Sequence, residues 1–203
     1  MPLCTGAVIR GVLAALLMCG LQACSNLPRL VVLNDPLTPE EHVTLGMTYM
    51  QEGLTEKAVE EFRAALKRQP GNVPALVALG NVSFEQGKLK EAEKYYRKVL
   101  AEVPGHPGAA NNLAMVYVAR GEQLEEAEKM ALAALTQAGP LRPYCLDTLA
   151  NIYVKQKRFQ EATVALDEAD TLAATSGSQA LVERLKQSRQ ALSAAIVRGR
   201  QDT

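Results

Sequence analysis

The sequence predicts an all-α protein built from repeated helix pairs, and three observations support this prediction. Aromatic residues make up only 4% of the 203 residues and tryptophan is absent, while helix formers such as alanine, leucine and glutamate are abundant. The pair Leu45-Gly46 returns 34 residues later as Leu79-Gly80, within a longer repeated pattern. Glycine or proline recurs where most of the predicted helices would end. At 48% hydrophobic content, the chain can form one well-packed domain.

The charge balance argues against nucleic acid as a partner. Lysine plus arginine and aspartate plus glutamate both number 22, so the formal net charge is zero. Binding to nucleic acid depends on a basic surface that neutralises phosphates. We therefore expect no nucleic-acid partner.

Residues 1–23 have the pattern of a secretory signal. Arg10 is their only charged residue, and an apolar run at 11–20 follows it. A bilayer-spanning helix needs about 20 apolar residues, so this run is too short to span. The segment ends in Leu21-Gln22-Ala23-Cys24.

This ending resembles the lipobox of bacterial lipoproteins, although Gln22 stands where a small residue is usual. The resemblance implies that Cys24 becomes the lipidated first residue of the mature chain. It also implies attachment to the periplasmic face of a bacterial envelope membrane. Ser25 favours the outer membrane under the enterobacterial sorting rule. The alternative is an ordinary cleaved signal with an incidental cysteine.

Processing at this point would leave Cys145 as the only cysteine besides Cys24. No intrachain disulfide is then available, and Cys145 is predicted to be a small buried hydrophobic residue.

Residues 24–38 are predicted to form a tether. Pro28 and Pro36 interrupt any continuous helix. The segment 30–33 is unusually apolar for a linker, and it has two interpretations: it packs back on the domain, which we favour, or it joins a partner as an extended segment.

Four copies of one pattern follow, at residues 39–72, 73–106, 107–141 and 142–173. Thr38, Pro39 and Glu41 form a typical helix start at the beginning of the first copy. The matching positions, copy by copy, are Leu45-Gly46, Tyr49, Gly53, Ala58, Phe62, Ala65 and Pro70; Leu79-Gly80, Ser83, Gly87, Ala92, Tyr96, Val99 and Pro104; Leu113-Ala114, Tyr117, Gly121, Ala127, Ala131 and Ala134; and Leu149-Ala150, Tyr153, Lys157, Ala162, Leu166 and Ala169.

This pattern resembles the tetratricopeptide repeat. The resemblance implies a right-handed superhelix of helix-turn-helix repeats, with small residues where helices approach closely and large apolar residues between them. Four positions depart from the family pattern. Expected aromatic residues are replaced by Ser83, Ala131 and Leu166, and the turn glycine is replaced by Lys157.

Residues 174–203 are predicted to contain a capping helix. Leu181, Leu185, Leu192 and Ile196 share one face of it, and a repeat array needs its last apolar face covered. A dimerisation helix is the competing interpretation, so a homo-oligomer remains open.

The sequence offers no catalytic constellation. It contains two histidines, His42 in the first predicted helix and His106 in a turn, and they do not converge with a nucleophile. Zinc-type spacing and a phosphate-binding loop are both missing from the sequence. We expect no catalytic residue, metal, cofactor or small-molecule substrate.

The family resemblance implies that the first helix of each repeat lines a concave groove that binds a protein partner. Asparagines could pair with the backbone of an extended peptide, and methionines give adaptable apolar contact; alternatively, these residues satisfy neighbouring helices. The predicted groove residues are Thr44, Met47, Gln51, Asn81, Phe84, Glu85, Asn112, Met115, Tyr144, Thr148, Asn151 and Lys155.

Together these features predict a membrane-anchored interaction scaffold of the cell envelope. It would hold a peptide or helix of a partner, for example in assembling a pilus or secretion complex as pilotins do. The alternative is a regulatory or adaptor subunit of an envelope protease or peptidoglycan hydrolase.

Overall fold

A computed structural model of the chain describes residues 35–201. The predicted signal at 1–23, the lipidation site Cys24 and the apolar segment 30–33 lie outside the described residues. The span Leu37–Thr203 forms a compact unit of its own.

The described residues fold into nine α-helices, with one short 3₁₀ turn, Gly139–Leu141, between the sixth and seventh. The helices are α1 (Pro39–Gln51), α2 (Thr55–Arg68), α3 (Val73–Glu85), α4 (Leu89–Glu102), α5 (Pro107–Arg120), α6 (Leu124–Thr136), α7 (Arg142–Lys155), α8 (Phe159–Ser176) and α9 (Gln179–Gln201). The all-α prediction is confirmed.

Side-chain caps start the first helices of three repeats. At α1, Thr38 Oγ1 accepts a hydrogen bond from the Glu41 amide at 3.2 Å, and the Glu41 carboxylate accepts one from the Thr38 amide at 2.7 Å. Asn72 and His106 cap α3 and α5 in the same position. Each cap satisfies an amide that the helix leaves without a partner, and a proline follows within the first turn.

Helices pack in consecutive pairs, α1 with α2, α3 with α4, α5 with α6 and α7 with α8. The first helices of neighbouring pairs also contact one another, α3 with α5 and α5 with α7. These first helices therefore form the inner row of the array, and α2, α4, α6 and α8 form the outer row.

Close contact within each pair depends on residue size. A Cβ atom on Gly46 would lie 2.6 Å from Phe62 Cε1, and one on Gly80 would lie 2.5 Å from Tyr96 Cε1. Both aromatic rings are fully buried. Glycine is therefore required opposite a large ring, since a methyl group at either position would overlap it.

The last helix covers the end of the array. Leu181, Leu185 and Leu192 of α9 are buried in one cluster with Leu166 and Ala169 of α8. Helix α9 also contacts α7, so it reaches across the pair toward the inner row.

Candidate partner-binding groove

The inner row carries three adjoining cavities of about 310, 320 and 220 Å³. Met115 of α5 and Arg184 of α9 line all three, so the cavities form one continuous depression, which we call the inner groove. The other side chains that line it come mainly from α3, α5 and α7. A groove bounded by helices on several sides can hold a segment of another chain.

Two asparagines meet at the centre of the inner groove. Asn81 Oδ1 accepts hydrogen bonds from Tyr96 Oη at 2.8 Å and from Asn112 Nδ2 at 3.0 Å. Burial raises the pKa of Tyr96, so its hydroxyl stays protonated and keeps donating. Among the described residues, Asn81 Nδ2 and Asn112 Oδ1 have no hydrogen-bond partner. One donor and one acceptor therefore lie side by side, as a peptide backbone requires.

An ion pair between a buried aspartate and a half-buried arginine joins α9 to the wall of the inner groove. Asp147 of α7 is 1% exposed, and Arg184 Nε donates to its Oδ2 at 2.6 Å. Ser188 Oγ donates to the other carboxylate oxygen. Arg184 Nη2 donates to Met115 Sδ at 3.3 Å, and a thioether is a weak acceptor. The guanidinium group is thus held at the wall of the groove by Asp147 and Met115.

Sequence reasoning missed Arg184 and Asp147. A signal was present, because Arg184 and Ser188 follow Leu181 by three and seven residues and so lie on the leucine face of α9. A positively charged residue on a face that buries leucines implies a buried partner.

The structure brings together eight of the twelve predicted groove residues. The cavities are lined by Asn81, Phe84, Glu85, Asn112, Met115, Tyr144, Thr148 and Asn151. Thr148 is almost fully buried and donates to the Tyr144 carbonyl at 3.0 Å, so it shapes the wall. The other four, Thr44, Met47, Gln51 and Lys155, are exposed and line none of these cavities. Their role in binding stays a prediction.

The histidines have separate surroundings. His42 Nδ1 lies 2.7 Å from Glu61 Oε2 between α1 and α2, and His106 accepts the cap bond of α5. Within residues 35–201, no group of three or more histidine, cysteine, aspartate and glutamate side chains could hold a metal ion. Cys145 is fully buried, and this burial raises the pKa of its thiol to about 11.

None of the helices in the described part of the chain combines the length and apolar character that crossing a membrane requires.

Comparison with protein families identifies the repeats. Three tetratricopeptide repeat models match residues 43–107, 83–144 and 144–169, which together run through more than half of the 203 residues. All three matches are to repeats, and none is to a catalytic domain. The comparison with curated proteins gives no match.

Solved structures share the fold. Pseudomonas aeruginosa pilF superposes with a TM-score of 0.61 at 24% identity, over 77% of this chain and 72% of pilF. MamA superposes with a TM-score of 0.60 at 20% identity, over 70% of this chain and 82% of MamA. The Cut9-Hcn1 assembly of the APC/C gives 0.63 at 19% identity, over 74% of this chain but only 30% of the matched chain. The chain belongs to the tetratricopeptide repeat family and has the architecture of a protein-protein interaction scaffold.

Proposed function

We propose that this protein holds an extended segment of a partner protein in the inner groove. The observation that carries the proposal is the pairing of Asn81 and Asn112, which leaves one donor and one acceptor without partners at the centre of the groove. Asn81 is exposed and Asn112 is half-buried, so water can reach these two atoms, and a ligand with both a carbonyl and an N–H can replace that water with matching hydrogen bonds.

Apolar and charged contacts would add to the backbone contacts. Phe84 and Met115 flank the asparagines, and methionine adapts its shape to different side chains. Glu85 and Arg184 both line the groove, so it carries one carboxylate and one guanidinium group, the latter paired with Asp147. A segment with alternating apolar and polar side chains suits this lining better than a uniformly acidic one.

The proposed setting is the periplasmic face of a bacterial envelope membrane, most simply the outer membrane. This part of the proposal rests on the lipobox-like sequence that ends at Cys24. Two or more acyl chains on one residue would anchor the protein stably, whereas a single chain binds a membrane only reversibly.

Within that setting, the proposed task is the assembly of an envelope complex, such as a pilus or secretion apparatus, in the manner of a pilotin. The fold shared with pilF is compatible with this task. The second candidate is a regulatory or adaptor subunit of an envelope protease or peptidoglycan hydrolase, which the same anchor and groove would also serve.

The groove is tested by combining Asn112→Ala with Met115→Glu in the full chain. The first change removes the central amide, and the second places a charge where an apolar contact is expected. We expect partner recovery after cross-linking in cells to fall at least about tenfold, which corresponds to roughly 1.4 kcal/mol. Lys98→Glu, an exposed change on the outer helix α4, is the control. Undiminished recovery in the double variant would contradict the proposal.

The anchor is tested by Cys24→Ala. We expect this variant to lose metabolic palmitate labelling and to leave the membrane fraction, because the lipid-bearing thiol is gone. Cys19→Ala is the matched control, since Cys19 lies within the predicted signal. Labelling that persists in Cys24→Ala would show that the lipid is attached elsewhere or that the signal is an ordinary one.

A further inference from the structure

A hollow of about 330 Å³ lies between the first two outer helices, α2 and α4. We call it the Ser83 hollow. Leu79, Val82 and Ser83 of α3 line it and are buried, so they form its floor. Val59 of α2 and Tyr95 of α4 line it as well. The hollow therefore has a largely apolar interior with one small residue, Ser83, at its floor.

Each of the other three repeats carries a tyrosine at the position of Ser83. These tyrosines are Tyr49, Tyr117 and Tyr153. Tyr117, which lies 34 residues after Ser83, is 2% exposed and belongs to one buried cluster with Ala92 of α4 and Ala127 of α6. Its ring therefore packs between two successive outer helices. The corresponding space between α2 and α4 receives no ring from α3, because Ser83 stands there.

The arginine that binds such a tyrosine hydroxyl is present at the Ser83 hollow. In the third repeat, Arg97 Nη2 donates a hydrogen bond to Tyr117 Oη at 3.0 Å. The pair of residues 34 positions earlier is Arg63 and Ser83, and both of them line the hollow. The hollow thus keeps the arginine and lacks the phenol that Arg97 contacts one repeat later.

A second cation at the Ser83 hollow also has a counterpart beside a tyrosine. In the fourth repeat, the Arg158 guanidinium lies over the Tyr153 ring, 4.3 Å from its centroid. A cation over an aromatic face is attracted to it. Arg158 follows the turn position Lys157 by one residue, as Lys88 follows Gly87, and Lys88 lines the hollow. The lining therefore includes counterparts of both arginines that contact a tyrosine in later repeats.

The charges of the Ser83 hollow favour a neutral phenol over a phosphorylated one. Its charged lining residues are three carboxylates and two cations, namely Glu56, Glu60, Glu91, Arg63 and Lys88. A phosphate group would bring about two further negative charges to a lining that is already acidic on balance. A tyrosine hydroxyl has a pKa of about 10 and is uncharged at neutral pH.

We propose that the Ser83 hollow binds the side chain of a tyrosine from a partner protein, whose hydroxyl oxygen accepts a hydrogen bond from Arg63. A pocket for a small molecule encloses most of its ligand, whereas Glu60, Arg63 and Lys88 at this hollow are exposed. Exposed polar residues around an apolar centre are typical of protein interfaces. The proposal is independent of the inner groove, because the two share no lining residue.

The first test uses the tyrosine side chain as a free molecule, 4-methylphenol, and compares it with toluene, which lacks the hydroxyl. In the purified full chain, the methyl resonances of Leu79 and Val82 report occupation of the hollow during nuclear magnetic resonance titrations. We expect 4-methylphenol to shift these resonances. The dissociation constant of toluene should be at least about fivefold higher, because toluene makes no hydrogen bond to the guanidinium group.

Three variants show where the probe binds. Ser83→Tyr supplies a ring from the chain itself, so 4-methylphenol should no longer shift the resonances. Arg63→Met should raise the dissociation constant of 4-methylphenol at least about fivefold and leave that of toluene unchanged. Arg97→Met, the same change at the arginine that already contacts Tyr117, is the matched control and should change neither constant. If Ser83→Tyr fails to fold, Arg63→Met carries the test, because Arg63 is exposed.

The second test asks whether the tyrosine belongs to a protein. A photoreactive amino acid replaces Gln86, an exposed residue that lines the hollow, in the full chain in its native cells. We expect a cross-linked product with a different protein, joined through a peptide that contains a tyrosine. Adding Ser83→Tyr should lower the yield of this product at least about tenfold.

Several results would overturn the proposal. In the titrations, these are resonances that do not respond to 4-methylphenol, an undiminished response in Ser83→Tyr, or an unchanged dissociation constant in Arg63→Met. In cells, they are the absence of a product with a different protein, a cross-linked peptide without tyrosine, or an undiminished yield when Ser83→Tyr is present.

Discussion

At the scale of single residues, Lys157 shows how the backbone constrains the repeat. It has φ = +61°, in the left-handed region, as do the glycines at the same turn of the first three repeats, with φ between +67° and +75°. The sequence identified Lys157 as a departure from the turn glycine. The structure shows that the backbone keeps the left-handed conformation there, at a cost that glycine does not have.

Lys157→Gly is therefore expected to stabilise the protein. The free energy of unfolding should rise by roughly 0.5–1 kcal/mol, because the relief of left-handed strain exceeds the added freedom of glycine in the unfolded chain. Urea unfolding followed by circular dichroism measures this change. Lys155→Gly, two residues earlier in the last turn of α7, is the control and should cost about 1 kcal/mol. Equal losses in both variants would contradict this account.

The ion pair of Asp147 and Arg184 shows what could not be predicted from the sequence at this scale. The amphipathic pattern of α9 predicted which leucines are buried, and Leu181, Leu185 and Leu192 are buried as expected. It did not identify Asp147 as the partner of Arg184, because the two residues are 37 positions apart in the sequence. The sequence of α7 also resembles that of the first helix in the other repeats, so nothing in it singles out Asp147. Such a pairing depends on the angle at which α9 crosses α7.

At the scale of helix pairs, residue sizes compensate between the two helices. The first two pairs place glycine against a large ring, Gly46 with Phe62 and Gly80 with Tyr96. The last two pairs have alanine at the glycine position, and Ala131 and Leu166 where the ring would be. The two departures noted in the sequence are thus matched by a change on the facing helix, and all four residues are buried.

This compensation predicts non-additive mutations in the first pair. Gly46→Ala should lower the free energy of unfolding by roughly 1–3 kcal/mol, because the new methyl group would overlap the Phe62 ring. Adding Phe62→Leu makes room for that methyl group, as in the last pair. We therefore expect the double variant to be at least about 1 kcal/mol more stable than the sum of the single effects predicts. Thermal unfolding of the four proteins measures the cycle, and strict additivity would show that the two positions do not share one space.

The sequence predicted the helix pairs well because their signals are local. The period, the caps at Thr38 and the turn glycines all act within a few residues. Side-chain exposure on the outer row was harder to predict. Val164 and Leu132 are exposed apolar residues, and the hollow that they help to line forms only where α6, α7 and α8 come together.

At the scale of the whole molecule, two hollows of the array have different characters. The inner groove combines amides, Met115 and Arg184, whereas the hollow between α6 and α8 is mainly apolar and has Glu161 and Glu168 as its charged lining residues. The family resemblance predicted which helices line the groove, since that follows from the order of helices. It did not predict that the first repeat contributes nothing to these cavities, which are lined mainly by α3, α5 and α7 with Arg184 of α9.

We propose, above all, that the inner groove holds a segment of a partner protein. Its most direct test places a photoreactive amino acid at Met115, in the groove, or at Lys98, on the outer helix α4, in the full chain in its native cells. We expect a cross-linked product with a different protein from position 115, and none from position 98. Products from position 98 alone, or equal products from both positions, would contradict it.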